Sequence, residues 1–351
     1  MNEPNSKQKE IIESNESKIV VVSNAATGKT FVLTQRIKHL LEKGVAPESI
    51  VAITFTNNAA QEILNRLNNP QGLFIGTVHS YCNYLLRAGG FDTNSLIDNE
   101  QFDELFEKLK KHIECIKPVE YLLLDEAQDS SEVQFEFLFD MIKPKNWFVV
   151  GDYKQAIYSW NGGDPLLMMN LIEENDVTVY ELNQNYRNTN EVLDFAKHIL
   201  RPLGPKYEDN SISMSSKIGK VIEGELSYQG ISTLIQREQH YKDWFILCRT
   251  NKEVEAMCTV LRRNKIPYDT FKQAQFTNAE ILNKMNEDTV KVLTIHSSKG
   301  LENENVVVIG AKFYNPEERR LCYVAATRAK TKLIWAKIKK NYPKKRKIYE
   351  W

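Results

Sequence analysis

The stretch KIVVVSNAATGKTFVLTQRIKHLL, Lys18 to Leu41, decides the fold. Lys18–Val22 is a short β-branched run that reads as a buried strand. SNAATGKT, Ser23 to Thr30, follows at once, and a helical pattern runs over Phe31–Leu41. Strand, glycine-bearing turn and helix in that order form an anion cradle, because backbone N–H groups at a helix N-terminus point at phosphate oxygens. Gly28-Lys29-Thr30 would be its working end, with Lys29 reaching the β- and γ-phosphates and Thr30 holding Mg²⁺. Ser23 stands where the usual pattern has its first glycine, so the same letters also spell an ordinary strand–turn–helix.

Working outward, Tyr121–Leu124 is an apolar strand ending in Asp125-Glu126-Ala127-Gln128-Asp129. Packing does not explain two adjacent acids at the end of a buried strand. Asp125 would position Mg²⁺ through its water shell, and Glu126 would orient and deprotonate an attacking water. A third apolar run ends in Gly151-Asp152-Tyr153-Lys154-Gln155, where Gln155 suits a sensor of the γ-phosphate. Further runs at Ser49–Phe55, Val177–Leu182, Trp244–Cys248, Val290–Ile295 and Val306–Ile309 alternate with helical patterns such as Ala59–Leu67, Glu132–Met141 and Asn190–Leu200. This alternation predicts α/β architecture with parallel central sheets, and the second half repeats the strand–helix–strand order. Residues 200–220 are turn-rich and read as an excursion or linker.

The 351 residues allow about two domains. Forty-six basic and 46 acidic residues give zero formal net charge, which argues against a uniformly basic nucleic-acid coat but leaves room for a locally basic groove. Five scattered cysteines form no CxxC pair and six histidines are dispersed, so neither a disulfide framework nor a metal cluster is expected, and a reducing cytosol fits. The polar N-terminus is no signal peptide, and no apolar run approaches the roughly 20 residues of a membrane helix. Residues 330–347 hold nine Lys or Arg and no acid. That segment reads either as a solvated tail or as a nucleic-acid contact.

With these elements in order, the chain resembles the UvrD/Rep family of superfamily 1 helicases from Gln8 to about residue 335. TFTNNAAQEI (Thr54–Ile63), GTVHS (Gly76–Ser80), LLLDEAQD, VGDYKQAIYSWNGGDP (Val150–Pro165), QNYRNT (Gln184–Thr189), LTIHSSKGLE (Leu293–Glu302) and EERRLCYVAATRAK (Glu317–Lys330) resemble its motifs Ia, Ib, II, III, IV, V and VI. The resemblance implies two RecA-like P-loop domains, residues 1–180 and 181–351, with ATP in the cleft between them. It implies catalytic roles for Lys29, Glu126, Gln155, Arg187 and Arg328, the two arginines as fingers on the transferred phosphoryl. Gln8 would read adenine, Tyr186 and Arg36 would sandwich it, Glu302 would contact the ribose, and Gly28, Lys29 and Thr30 would hold the phosphates. Thr30 and Asp125 would carry the metal. Thr54, Phe55, His79, Tyr158, Trp160 and His296 would line a single-stranded DNA groove, the aromatic rings as stacking platforms.

The chain departs from the family in places. Asn24 and Ala26 stand for phosphate-loop glycines, Asn58 for a lysine and Asn161 for an arginine. Of two large family insertions, the first is reduced to a short helical segment at about 81–118. The second is absent near 268–290. Asn341-Tyr342-Pro343, within a basic hairpin or tail at 336–351, is then expected to wedge duplexes with Tyr342. The resulting expectation is an ATP- and Mg²⁺-dependent translocase and 3′–5′ helicase acting on single-stranded DNA and single-strand/duplex junctions. It would be a monomer that meets replication or repair proteins in the cytoplasm of a bacterial or phage-infected cell, with no membrane contact. The alternative is a degenerate helicase-like module that binds DNA or a partner without motor activity.

Overall fold

The computed structural model describes residues 3–339, so the expectation for Tyr342 lies outside the described residues. The chain divides into two compact units. The first comprises the chain up to Asn188 with Lys197–Ser215 and Asn315–Tyr323; the second comprises Thr189–Ala196, Ser216–Tyr314 and the chain from Val324 onward. These units divide later than residue 180, and the boundary between them is crossed more than once. The reason is local: residues 182–188 stay with the phosphate loop through hydrogen bonds described below.

The first unit is built on β1 (Lys18–Ser23), β2 (Ile50–Ile53), β3 (Phe74–Gly76), β4 (Tyr121–Leu124), β5 (Asn146–Gly151) and β6 (Thr178–Leu182). They form one sheet in the order β3-β2-β4-β5-β1-β6, and every pairing is parallel. Alternate residues enter opposite cores. Val20, Leu122, Leu124 and Val149 pack on one face, and Ile19, Val21, Leu123 and Val150 on the other. Burial on both faces explains why these strands are continuous apolar runs with no polar alternation. Helices α1 (Ser6–Glu13), α2 (Lys29–Glu42), α3 (Asn57–Arg66) and α4 (Val78–Ala88) precede a short insertion. The insertion supplies α5 (Asn94–Asp98) and α6 (Phe102–Lys111), whose Leu105, Phe106 and Leu109 are buried with Tyr81, Cys82 and Leu85. Then α7 (Glu132–Phe135) runs into a π-helical turn, Glu136–Met141, and α8 (Pro165–Ile172) follows. A small parallel pair, β7 (Gln184–Asn185) and β8 (Ile212–Ser213), gives the expected excursion some order of its own.

The second unit holds β9 (Lys220–Leu226), β10 (Trp244–Cys248), β11 (Tyr268–Asp269), β12 (Val290–Thr294), β13 (Asn303–Ile309) and β14 (Ala329–Ile338). Their order is β11-β12-β10-β13-β14-β9, again all parallel. Helix α9 (Asn190–Leu200) precedes them; α10 (Tyr228–Glu238), α11 (Asn251–Arg263), α12 (Asn278–Asn286) and α13 (Pro316–Ala326) complete the chain's helices among the described residues. The basic segment from residue 330 thus begins as a sheet strand rather than a tail. Leu333, Ile334, Trp335 and Ala336 are buried, while Lys332 carries its charge outward to Glu238 at 2.7 Å. Only three residues separate α12 from β12, which leaves no room for a large insertion there. No helix among the described residues is long and apolar enough to cross a membrane.

Candidate nucleotide and strand sites

Parallel order puts the C-terminal ends of β1, β5 and β4 side by side, the place where open α/β sheets bind ligands. The phosphate loop leaves β1 and enters α2 through Gly28, at φ 89° and with no side chain capping the helix. The first amides of α2 are therefore left open to an anion. A Cβ on Gly28 would sit 3.0 Å from Gln8 Nε2, so glycine serves both the backbone angle and the close approach. Ala26, where the family has glycine, also adopts a left-handed angle, φ 57°, a conformation that costs an L-residue about 1–2 kcal/mol. Asn24 is buried, donates to Asn210 Oδ1 at 3.0 Å and leaves its own Oδ1 without a partner.

The neighbours of the loop compensate for this strain. Asn185 Nδ2 donates to the Ala25 carbonyl at 2.9 Å, and Tyr186 N–H donates to that of Ala26 at 3.0 Å. The Ala25 N–H bonds the buried Tyr323 phenol, which donates to Asp209 at 2.8 Å. Burial, and then the carboxylates of Asp209 and Asp152, push that phenol well above the usual tyrosine value. Asn185, Asp209 and Tyr323 were not singled out from the sequence; Asn185 and Tyr323 lie inside motif-like stretches, while nothing in the sequence marks Asp209.

Lys29 Nζ lies 3.7 Å from Glu126 Oε1, and Thr30 Oγ1 donates to Asp125 Oδ2 at 3.3 Å. Thus β1 and β4 bring together the four residues expected around phosphate and metal. Asp125 is 2% exposed; burial first, and Glu126 second, push its carboxyl up to about 7. A buried carboxyl beside a second acid and a hydroxyl is a donor set that a divalent cation would satisfy, so the residues fit Mg²⁺. Glu126 itself sits at φ 52°, a strained angle of the sort held at working sites. Gln128 donates to Glu126 and accepts the Asp152 N–H at 2.9 Å, linking β4 to β5. It can do so because residue 151 is glycine: a Cβ there would meet Gln128 Oε1 at 2.6 Å. Gln155 is buried, with Nε2 donating to Asp152 Oδ2 at 2.6 Å.

At α1, Gln8 Nε2 donates to the Thr27 carbonyl at 3.2 Å and its Oε1 accepts the Asn5 N–H. Tyr186 is half exposed, its hydroxyl bonded to Gln184 and Asn5. Arg36 does not join them. Its guanidinium is buried and donates to the carbonyls of Ile12 at 2.7 Å and Ser14 at 2.5 Å. It lies two turns into α2 and closes the C-terminal end of α1, where unpaired carbonyls attract a cation.

Arg187 lies in the first unit, directly after the Tyr186–Ala26 contact, and its N–H is fixed by Asn185 Oδ1 at 2.9 Å. In the second unit, Arg328 is buried, bonding the Val324 carbonyl at 3.0 Å and that of Leu301 at 3.2 Å. Glu302, next along from Leu301, pairs with Lys330 at 3.0 Å.

The expected strand residues separate into two kinds. Phe55 stacks on Tyr158 with centroids 5.0 Å apart, and Tyr158 meets Trp160 edge-on at 6.2 Å. Trp160 is 71% exposed, an open aromatic face at the end of a ladder. Thr54 is by contrast buried, its Oγ1 without a partner, and presents no surface. The His79 ring packs on Phe102 and Phe106 of the insertion helix, 5.2 and 5.4 Å away, and burial lowers its pKa. His296 opens a short turn after β12. Asn58 lies in the first turn of α3 and Asn161 on the exposed turn after Trp160.

Comparison with known proteins shows the family. The UvrD/REP helicase N-terminal domain matches residues 4–117 and 100–177. UvrD-like helicase C-terminal domains match residues 180–286 and 289–335. A "Probable DNA helicase II homolog" of Mycoplasma capricolum is 27% identical over 84% of this chain and 55% of its own length. A "Probable DNA helicase" of Mycoplasma pneumoniae is 28% identical over 93% of the chain and 82% of its own. An "ATP-dependent DNA helicase PcrA" of Staphylococcus aureus is 24% identical over 76% of the chain and 50% of its own. The chain thus spans about half the length of the first and third. These matches run over 404, 442 and 369 residues, each more than the whole chain, so the relatives carry residues within the matched span that this chain lacks.

Proposed function

From its membership of the UvrD/Rep family of DNA helicases, we propose that this chain is an ATP-dependent DNA helicase that translocates 3′ to 5′ on single-stranded DNA and opens duplexes at junctions. The observation that carries the reading is the gathering of Lys29, Thr30, Asp125 and Glu126 at the ends of β1 and β4, beside an uncapped helix N-terminus. When bound with ATP, Mg²⁺ supplies neutralising charge at the β- and γ-phosphates. Thr30 and Asp125 would hold that ion. Lys29 would leave Glu126 for the phosphates, and Glu126 would take the proton of the attacking water. Gln155, already bonded to Asp152, would report the γ-phosphate to the chain that follows it, which carries Tyr158 and Trp160. Arg187 and Arg328 would complete the charge on the transferred group, Tyr186 and Gln8 would hold the base, and Glu302 the ribose.

Phe55, Tyr158 and Trp160 would stack bases, and loss of Trp160 is expected to weaken strand binding by about 1–3 kcal/mol. A cytoplasmic monomer that works with replication or repair proteins fits this reading. The test is strand displacement on 3′- and 5′-tailed duplexes beside phosphate release with and without oligonucleotide. Displacement from 3′ tails with oligonucleotide-stimulated release is expected. Strand binding without stimulated release would instead favour a module that has lost its motor, for which the strained Ala26 and the Asn24 substitution give some ground.

A further inference from the structure

We infer that Gln273 is a positioning residue that braces the loop His296–Lys299, whose His296 the family resemblance sets against the DNA strand. Its side chain comes from the segment between β11 and α12. There Gln273–Gln275 form a single helical turn. Gln273 Nε2 donates to the carbonyl of Ser297 at 2.7 Å and to that of Lys299 at 2.8 Å. One amide group thus spends both protons on two carbonyls that flank a single residue, Ser298. That arrangement fixes the direction of two peptide planes on either side of the Ser298–Lys299 peptide and leaves neither carbonyl unpaired.

The brace has a rigid support. Phe271 is buried and meets Phe276 edge-on, with centroids 6.0 Å apart. Lys284 of α12 lies 5.7 and 4.9 Å from the two ring centroids and pairs with Asp269 at 3.1 Å. The turn that carries Gln273 is therefore held at both ends. The loop is closed on its other side by its own residues: Ser297 N–H donates to Thr294 Oγ1 at 3.2 Å, and Ser298 Oγ to the Ile295 carbonyl at 2.7 Å. Gly300 follows at φ 87°, and the Leu301 N–H then folds back to the Ser298 carbonyl at 2.9 Å. Gln273 is thus an external tie that holds His296 and its neighbours in one conformation, beside the Ile295 N–H bond to the Cys248 carbonyl at 2.9 Å. This role deepens the helicase reading and rests on it for its consequence, but the tie itself does not.

The experiment pairs Gln273→Glu, which keeps shape and replaces the donor by a repelling oxygen, with Gln273→Met, which only removes the donor. Amide hydrogen exchange of peptides covering residues 293–302 reads the brace, and phosphate release titrated with a single-stranded oligonucleotide reads its consequence. Expected are faster exchange confined to that loop and a half-saturating oligonucleotide concentration raised about 5-fold or more, as for loss of one to two hydrogen bonds. Turnover without DNA is expected to stay unchanged. Unchanged exchange in both variants overturns the brace. Faster exchange with an unmoved half-saturation point overturns the positioning role. A wild-type chain whose phosphate release ignores oligonucleotide overturns the motor reading and that consequence together, while exchange still decides whether Gln273 holds the loop.

Discussion

In the first unit, α2 leaves β1 through Gly28, with no side-chain cap on its first turn; in the second, α11 leaves β10 through Thr250, and its first turn is closed. Thr250 Oγ1 accepts the Glu253 N–H at 3.3 Å, and the Glu253 carboxylate accepts the Thr250 N–H at 2.9 Å. Both junctions sit at the C-terminal end of a central strand in a six-stranded parallel sheet. The difference is whether the helix satisfies its own leading amides. An open N-terminus is a socket for an anion; a capped one is a finished piece of scaffold. One architecture is thus used twice, and withholding a cap makes one copy a candidate nucleotide site.

The comparison can be broken most severely at Lys29. Lys29→Ala is expected to reduce phosphate release by about 100-fold or more, and a near-normal rate would remove the reason to treat the open junction as catalytic. Glu126→Gln should cut turnover by about 100-fold, the low end for loss of a general base, with nucleotide binding retained. Titration with a fluorescent nucleotide checks this, and lost binding would reassign Glu126 to the cradle. The loop backbone offers a paired test by urea unfolding. Gly28→Ala should destabilise by about 1–2 kcal/mol, while Ala26→Gly should stabilise by roughly 1 kcal/mol, since both positions are left-handed. The closed junction sharpens the contrast: Thr250→Ala should cost about 1 kcal/mol of stability and leave nucleotide affinity untouched.

The smallest expected effect belongs to His79. Its folded pKa lies below the ordinary value near 6.5 because burial disfavours the charged ring. Above that ordinary value both folded and unfolded chains hold it neutral. As pH falls below it, the unfolded chain binds a proton that the folded chain refuses, so stability drops. His79→Gln should flatten this part of the decline in urea midpoints between pH 7.5 and pH 5.5. Identical slopes would mean that Phe102 and Phe106 shield the ring less than their contacts imply.

Sequence reading worked best where chemistry and periodicity coincide. Tyr121–Leu124 and Trp244–Cys248 are strands to the residue, because both faces of a central parallel strand are buried and the run is apolar throughout. The same rule hid β9 and β14. KVIEGEL lies on a sheet edge, where polar residues are tolerated, and β14 pairs on both sides while its lysines extend outward. Arg36 was misplaced for a different reason: a position on a helix does not reveal which neighbour the side chain meets, and here the neighbour is the end of α1.

By itself, the sequence determined the two parallel sheets, the family, and the identity of the groups gathered at the ends of β1 and β4: Gly28, Lys29, Thr30, Asp125 and Glu126. These follow from short-range rules, since an apolar run must be buried and a charge at its end must face a ligand or water. Only the tertiary structure decided that Thr54 is buried, that Arg36 caps a helix, that Tyr323 and Asp209 steady the phosphate loop, and that Gln273 reaches the loop after β12. Each of these depends on which segments distant in the chain meet. Hydrogen bonds act over about 3 Å, whereas residues joined here stand as far apart as the 186 positions between Asn24 and Asn210, a distance no local pattern encodes.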